Sequence, residues 1–324
     1  MKRLQNTKLY AMILVSVILF GILSLSPAIS SLMNNVIIRS TGRISTVAYA
    51  RSGSANDVQV AVDWVVANGG IGNVYIPAGT FNFVEIDEPW VTVTIPAGVN
   101  VFGAPTERDV DGQIVEWKTI LVMPYDVPGT WKYGGISWFQ IIGTGDPNQH
   151  SRFSDIKLVG YRSIDPNSTT VHGAIKIKNV VDFHIDHCYF EHTCLGIGAS
   201  GSRGVIDHCF LVNPHGVVGA TMDECTVFYG VSMSRAYGDV WEDDVTKVLG
   251  KYTNYTVFIE DCYFEKWRHC TAANSGAHYV LRHSTIRDDF GFGSIDSHGW
   301  GSWDGEKITQ VGTRAVEIYN CTII

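Results

Sequence analysis

The chain has 324 residues, a formal net charge of −8 and a charged fraction of only 17%. That balance, with no basic run, excludes nucleic acid as the main partner, because phosphate binding needs a cationic face. No block of like charge is long enough to form a disordered tail, and the 33 glycines suit a chain of tight turns between short apolar segments.

Residues 1–30 read as a targeting segment. Lys2, Arg3 and Lys8 precede an apolar stretch from Leu9 to Leu25, and Ala28-Ile29-Ser30 has the small-x-small pattern of a signal-peptidase site. The stretch is at the short edge for a membrane span, so both a cleaved signal and a retained anchor are open. In either case the folded part is expected at the cell surface or outside the cell, touching membrane only through this segment.

Residues 31–55 read as a spacer with one strand, Asn35 to Arg39. A helix follows, capped by Asn56 and starting at Asp57, with Val58, Val62, Val65 and Val66 on one face and Asn68-Gly69-Gly70 ending it. Asn73 to Phe81 then reads as strand, turn and strand. The helix is placed to cover the open end of whatever those strands begin.

Beyond residue 180 a phrase recurs: Ile185-Asp186-His187-Cys188-Tyr189-Phe190, Ile206-Asp207-His208-Cys209-Phe210-Leu211 and Ile259-Glu260-Asp261-Cys262-Tyr263-Phe264. Weaker copies are Leu281 to Ile286 and Ile318 to Ile323. A repeat of roughly 20–25 residues with internal period-2 alternation, rich in Val, Ile, Phe and Tyr, is that of a β-solenoid with one coil per repeat. Residues 56–324 are therefore expected to form one all-β domain, a parallel β-helix capped by an N-terminal α-helix.

Cys188, Cys209, Cys262 and Cys321 share one register and are expected to form an inward column of small buried side chains rather than disulfides. His187, His208 and His283 mark a bend repeated with the coil. A zinc site built on His184, His187 and Cys188 fails on alternation, since these side chains should diverge. Before each phrase a further strand is expected: Ala174 to Lys178, Leu195 to Ala199, Val217 to Thr221, Cys270 to Asn274 and Gly293 to Ser297. Residues 222–254 are too long for the repeat and read as a projecting loop, and 298–313 as a shorter one. The chain stops inside a coil segment, Arg314 to Ile324, with no closing cap, which reads as truncation.

The sequence Asp57-Val58-Gln59 to Asp63, then Gly69-Gly70, then Val74-Tyr75-Ile76-Pro77-Ala78-Gly79-Thr80-Phe81 resembles the opening segment of the pectate-lyase-like superfamily. The later coils are similar to that superfamily's generic repeat. The resemblance implies a single-stranded right-handed parallel β-helix that acts on or binds polysaccharide across the sheet made by the first strand of each coil. On this chain that sheet would present Lys176, Lys178, Asn274, Ser294 and Asp296. The turns leading into it carry His192, Trp267, Arg268, His269, Asp288 and Asp289, and those leaving it carry Asp223, His298, Trp300 and Trp303.

Two chemistries fit. A lyase would use Ca2+ held by Asp288, Asp289 and Asp296, with Arg268 as base or charge stabiliser. A hydrolase would use Asp223 and Asp296 as paired carboxyls. Asp296 and His298 stand out as catalytic candidates in both. Trp267, Trp300 and Trp303 offer flat faces for sugar rings, with His269 and Lys176 as further substrate contacts. The full carboxylate trio of polygalacturonase-like enzymes and the Arg-x-Pro-x-x-Arg stretch of pectate lyases are absent. A non-catalytic glycan-binding or cell-envelope role is the alternative.

Overall fold

The structure is a computed structural model. It describes residues 36–38, 46–85, 90–124, 136–161, 172–213, 229–234, 256–274, 276–287, 293–297, 313 and 315–324. Three long sheets run side by side. The first sheet orders Val93–Pro96, Ile136–Ile142, His172–Lys178, Leu195–Ser200, Tyr229–Ser234, His269–Asn274 and Ile295–Ser297, all parallel. The second includes Thr46–Ala50, Ser151–Ser154, Phe183–Asp186, Gly204–Asp207, Thr256–Glu260, His278–Arg282 and Ala315–Tyr319. The third includes Ile156–Val159, Tyr189–Glu191, Phe210–Val212, Tyr263–Glu265 and Thr285–Arg287. The chain visits first, second and third sheet in turn and then repeats, so the molecule is a parallel β-helix.

Alternation inside each strand selects the inward side chains. Phe153, Ile185, Ile206, Ile259 and Leu281 stack through the second sheet at 0% exposure. Leu158, Phe190, Leu211 and Phe264 do the same through the third. Burying each such side chain stabilises the fold by about 1.5–3 kcal/mol relative to exposure. Gly204 sits in the column directly beside Phe183, where an added Cβ would fall 2.2 Å from the Phe183 carbonyl oxygen.

The turn between second and third sheets explains the repeat phrase. Its residue before the Cys register has positive φ in coil after coil: Asp155 63°, His187 54°, His208 50°, Asp261 51°, His283 53° and Asn320 53°. Asp, Asn and His tolerate this left-handed region better than other side chains with a Cβ. The next position is the expected column. Cys188, Cys209 and Cys262 are buried thiols, and each donates toward a carbonyl of the preceding coil, Phe153, Ile185 and Ile206, at 3.6–3.7 Å. Burial pushes the Cys209 thiol well up. Ser284 occupies the same register, where its Oγ accepts from the Cys262 amide at 3.1 Å.

Several expectations are corrected. The helix is Ala55–Ala67, capped by Ser54 rather than Asn56, because Ser54 is extended (φ −66°, ψ 147°) and its side chain accepts from the Asp57 amide. Ala55, Val58, Ala61, Val62 and Val65 are its buried residues, whereas Val66 is 42% exposed. Parallel pairing begins ahead of the expected boundary at residue 56, since Thr46–Ala50 pairs with Gly72–Tyr75. The first-sheet strand expected at Val217 to Thr221 lies outside the described residues; Tyr229–Ser234 pairs with Leu195–Ser200 on one side and His269–Asn274 on the other. The expected projecting loop at 222–254 therefore contains a strand of the solenoid.

Candidate functional site

The outward positions of the first sheet form two columns. One reads Gln140, Lys176, Gly198, Ser232, Ala272 and Asp296, and the other Ile142, Lys178, Ser200, Ser234 and Asn274. Lys176 and Lys178 point the same way from one strand, as the two-residue period requires. Between them and Asp296 the residues are small.

At the far end His269 and Asp296 meet. The strand pairing that sets Ala272 against Asp296 brings His269 Nε2 to 3.8 Å from Asp296 Oδ2, with the two side chains 12% and 22% exposed. His269 Nδ1 is 2.7 Å from the Gly293 carbonyl oxygen. A carbonyl only accepts, so in the neutral ring Nδ1 carries the proton and Nε2 presents a lone pair. The Tyr229 ring stacks on the imidazole at 5.7 Å and 19°, which fixes its plane. This arrangement can take a proton at Nε2 and stabilise the resulting imidazolium with the adjacent carboxylate.

The other expected site residues divide. Lys176 lies on the same face as His269 and Asp296. Trp267 does not: it is 0% exposed, and its Nε1 donates to the Leu211 carbonyl at 2.8 Å. It anchors the core at the turn between third and first sheets, so its role as a sugar-stacking face is withdrawn. Arg268 Nε and Nη1 are enclosed by protein. His192 turns toward the third sheet, 3.6 Å from Glu191 Oε1. Asp223, Asp288, Asp289, His298, Trp300 and Trp303 lie outside the described residues, as does the N-terminal targeting segment.

The calcium ligand set is thereby described only at Asp296, which lies 3.8 Å from the His269 imidazole. Among the described residues, one group of three could offer ligand atoms to a metal: His184, Asp186 and Asp207, on the outside of the second sheet. His184 and Asp186 share one face of a strand, as the two-residue period requires, and the register of the adjacent strand adds Asp207. The group is already satisfied by protein. Arg152 Nε and Nη2 grip Asp186 at 2.7 and 2.6 Å, the Ser154 hydroxyl donates to Asp186 at 2.9 Å, and His187 Nδ1 lies 2.5 Å from it. His184 Nε2 donates to Asp207 at 2.8 Å. Burial alone would push the Asp186 carboxyl up, but Arg152 and His187 hold it well below the usual carboxylate range. The bond to Asp207 raises His184; burial would push Asp207 up, but the bond to His184 together with the charges of His184 and His208 lowers it. A guanidinium occupies the place a cation would take, and three donors do not resemble the six to eight oxygens of calcium. The cluster is a structural network.

No protein-family model matches the chain, and no curated protein matches it. Among solved structures it is similar to the A-module of a mannuronan C-5 epimerase from Azotobacter vinelandii, at 12% identity and a TM-score of 0.30, over 74% of this chain and 54% of that one. The chain thus spans about half the length of that module.

Proposed function

We propose that the protein is a polysaccharide-processing enzyme acting outside the cytoplasm, with His269 and Asp296 as its acid–base pair on the outer face of the first sheet. The single observation that carries this reading is the approach of His269 Nε2 to Asp296 at 3.8 Å, with Nδ1 held by the Gly293 carbonyl. A proton-transfer group needs a defined tautomer and a neighbour that stabilises its charged form, and this pair has both. In an elimination, Nε2 takes the proton next to the sugar carboxylate. In a hydrolysis, the pair delivers a proton to the glycosidic oxygen or activates water. The resemblance of residues 57–81 to the pectate-lyase-like superfamily supports the choice of polysaccharide. The basic, apolar and small-residue pattern of residues 1–30 supports an extracellular or cell-surface location.

The test is turnover of a panel of acidic and neutral polysaccharides by the purified protein, with calcium added or chelated. Ultraviolet absorbance of an unsaturated product together with new reducing ends marks a lyase, and reducing ends alone mark a hydrolase. His269→Gln and Asp296→Asn should each lower the rate by about 10²–10⁴-fold, the usual contribution of a positioned acid or base. Folded protein silent in both channels would overturn the enzymatic reading in favour of a glycan-binding surface.

A further inference from the structure

We propose that His187 and His208 form a surface site for a divalent transition-metal ion of the zinc, nickel or copper class, held by their two Nε2 atoms at the turn between the second and third sheets. The site is built on a different corner of the coil from His269 and Asp296 and stands independently of the role given to them.

Register brings the two rings together. Asp186 pairs with Asp207, so the next residue of each coil, His187 and His208, falls at the same left-handed turn position, with φ of 54° and 50°. One backbone conformation in successive coils aims both side chains alike. Their rings stack with centroids 5.1 Å apart and planes at 20°, close to the strand step of about 4.8 Å. Each ring is held from behind by the carboxylate that precedes it. His187 Nδ1 is 2.5 Å from Asp186 Oδ2, and His208 Nδ1 is 3.3 Å from Asp207 Oδ2. A carboxylate accepts, so in the neutral ring Nδ1 carries the proton and Nε2 keeps a lone pair. Parallel rings with both Nδ1 atoms turned to neighbouring aspartates direct both Nε2 atoms to the same side.

A carboxylate on Nδ1 is the support that metal-ligating imidazoles carry, because it fixes the tautomer and makes Nε2 the stronger donor. Among the described residues neither Nε2 has a partner, and the side chains are 21% and 51% exposed, so an ion reaches them from solvent. His184 differs on this point, since its Nε2 is taken by Asp207. Two nitrogens on one ion lie at most about 4.2 Å apart, given metal–nitrogen bonds of about 2.0–2.1 Å. His208 is the more exposed ring and the more loosely held, and its tilt closes the remaining distance. The pair supplies two ligand atoms, and water completes the set. Imidazole nitrogen suits zinc, nickel and copper, whereas calcium and magnesium take oxygen. Asp261, exposed at the same turn position one coil beyond His208, adds negative charge beside the site.

The experiment is calorimetric titration of the full protein, stripped of metal with a chelator, using Zn2+, Ni2+ and Cu2+, with Ca2+ and Mg2+ for contrast. The chain has 11 histidines, so the site is read as the difference between parent and variant. His187→Asn and His208→Asn should each remove one bound transition-metal ion per chain, with copper the tightest of the three in the parent. Asparagine suits these variants because it tolerates the left-handed turn, as Asn320 does in the same register. Asp207→Asn, which weakens the support and keeps both ligands, should lower affinity about tenfold. His283→Asn, two coils beyond His208, should change nothing. Zinc should raise the unfolding midpoint of the parent by a few degrees and leave that of His208→Asn where it is. Equal stoichiometry in the parent and a folded His208→Asn protein overturns the site, whatever becomes of His187→Asn. Loss of the ion in His283→Asn, or displacement of zinc by equimolar calcium, overturns it as well, since either places the ion on other ligands.

Discussion

On the outside of the second sheet, Arg152, His184, Asp186 and Asp207 satisfy one another, and Asp186 is 0% exposed within the network. On the outside of the first sheet, Lys176 and Lys178 stand without ionic partners among the described residues, and His269 and Asp296 face each other across a gap longer than a hydrogen bond. Both faces are built by the same parallel ladder with the same alternation. What differs is where their polar groups find partners. One face closes its hydrogen bonds within the protein and gains rigidity. The other presents Lys176 and Lys178 at its outer surface, which is what a binding surface requires. The second-sheet network carries shifted ionisation at Asp186, Asp207 and His184, so such shifts arise here from structural pairing.

Substitutions on the two faces should separate stability from activity. The largest effect on folding is expected at neither face but in the core beneath the site. Trp267→Ala should cost about 3–5 kcal/mol in urea unfolding, because it empties a fully enclosed indole site and orphans the Leu211 carbonyl. A Trp267→Ala protein of normal stability that loses only glycan binding would return Trp267 to the surface role first expected of it.

Next in size, Asp186→Ala should cost about 2–3 kcal/mol, toward the low end for a broken buried pair because Arg152 is 38% exposed and can rehydrate. Asp296→Asn, by contrast, should leave the unfolding midpoint within error while removing turnover. If the two stability effects came out equal, the contrast between the faces would collapse.

The smallest effect is a pH profile. Asp186 and Asp207 have folded values below their ordinary ones, so their stabilisation is present above about pH 4 and is lost as pH falls through the folded values. His184 has a folded value above its ordinary 6.5, so its stabilisation is full below about pH 6.5 and is lost as pH rises through the folded value. Stability should therefore peak between about pH 4 and 6.5. Asp186→Asn should flatten the acid limb and His184→Gln the alkaline limb, as thermal melts across pH would show. A profile unchanged in both variants would mean that the network does not titrate with folding.

Much of the fold is legible in the residues because its causes are local and periodic. The 21-residue step from Cys188 to Cys209 spells out one coil, and alternation around Ile185 and Ile206 names the inward side chains. His187, His208 and His283 mark a turn that needs left-handed backbone, and their spacing announces it before any contact is known. The helix cap shifts from Asn56 to Ser54 because either residue can cap, and only the backbone path of Ser54 decides between them. The strand Tyr229–Ser234 is hidden because its coil departs from the repeat length on both sides, which removes the periodic signal that locates the others.

The site is less legible, for a reason that lies in the ladder. His269 and Asp296 are 27 positions apart, and the pairing of Thr271 with Ile295 brings them together. Arg152 and Asp186 meet through the pairing of Arg152 with His184 and Ser154 with Asp186. Along one strand, alternation correctly separates His184 from Cys188. The two-residue period puts His184 beside Asp186, but only register across strands adds Asp207, which no spacing within a single segment encodes. The sequence by itself determines the coil, its inward columns and its turn, because those depend on period and backbone conformation. Tertiary structure alone decides which polar side chains become partners and which stay available, because that depends on the alignment of one coil upon the next.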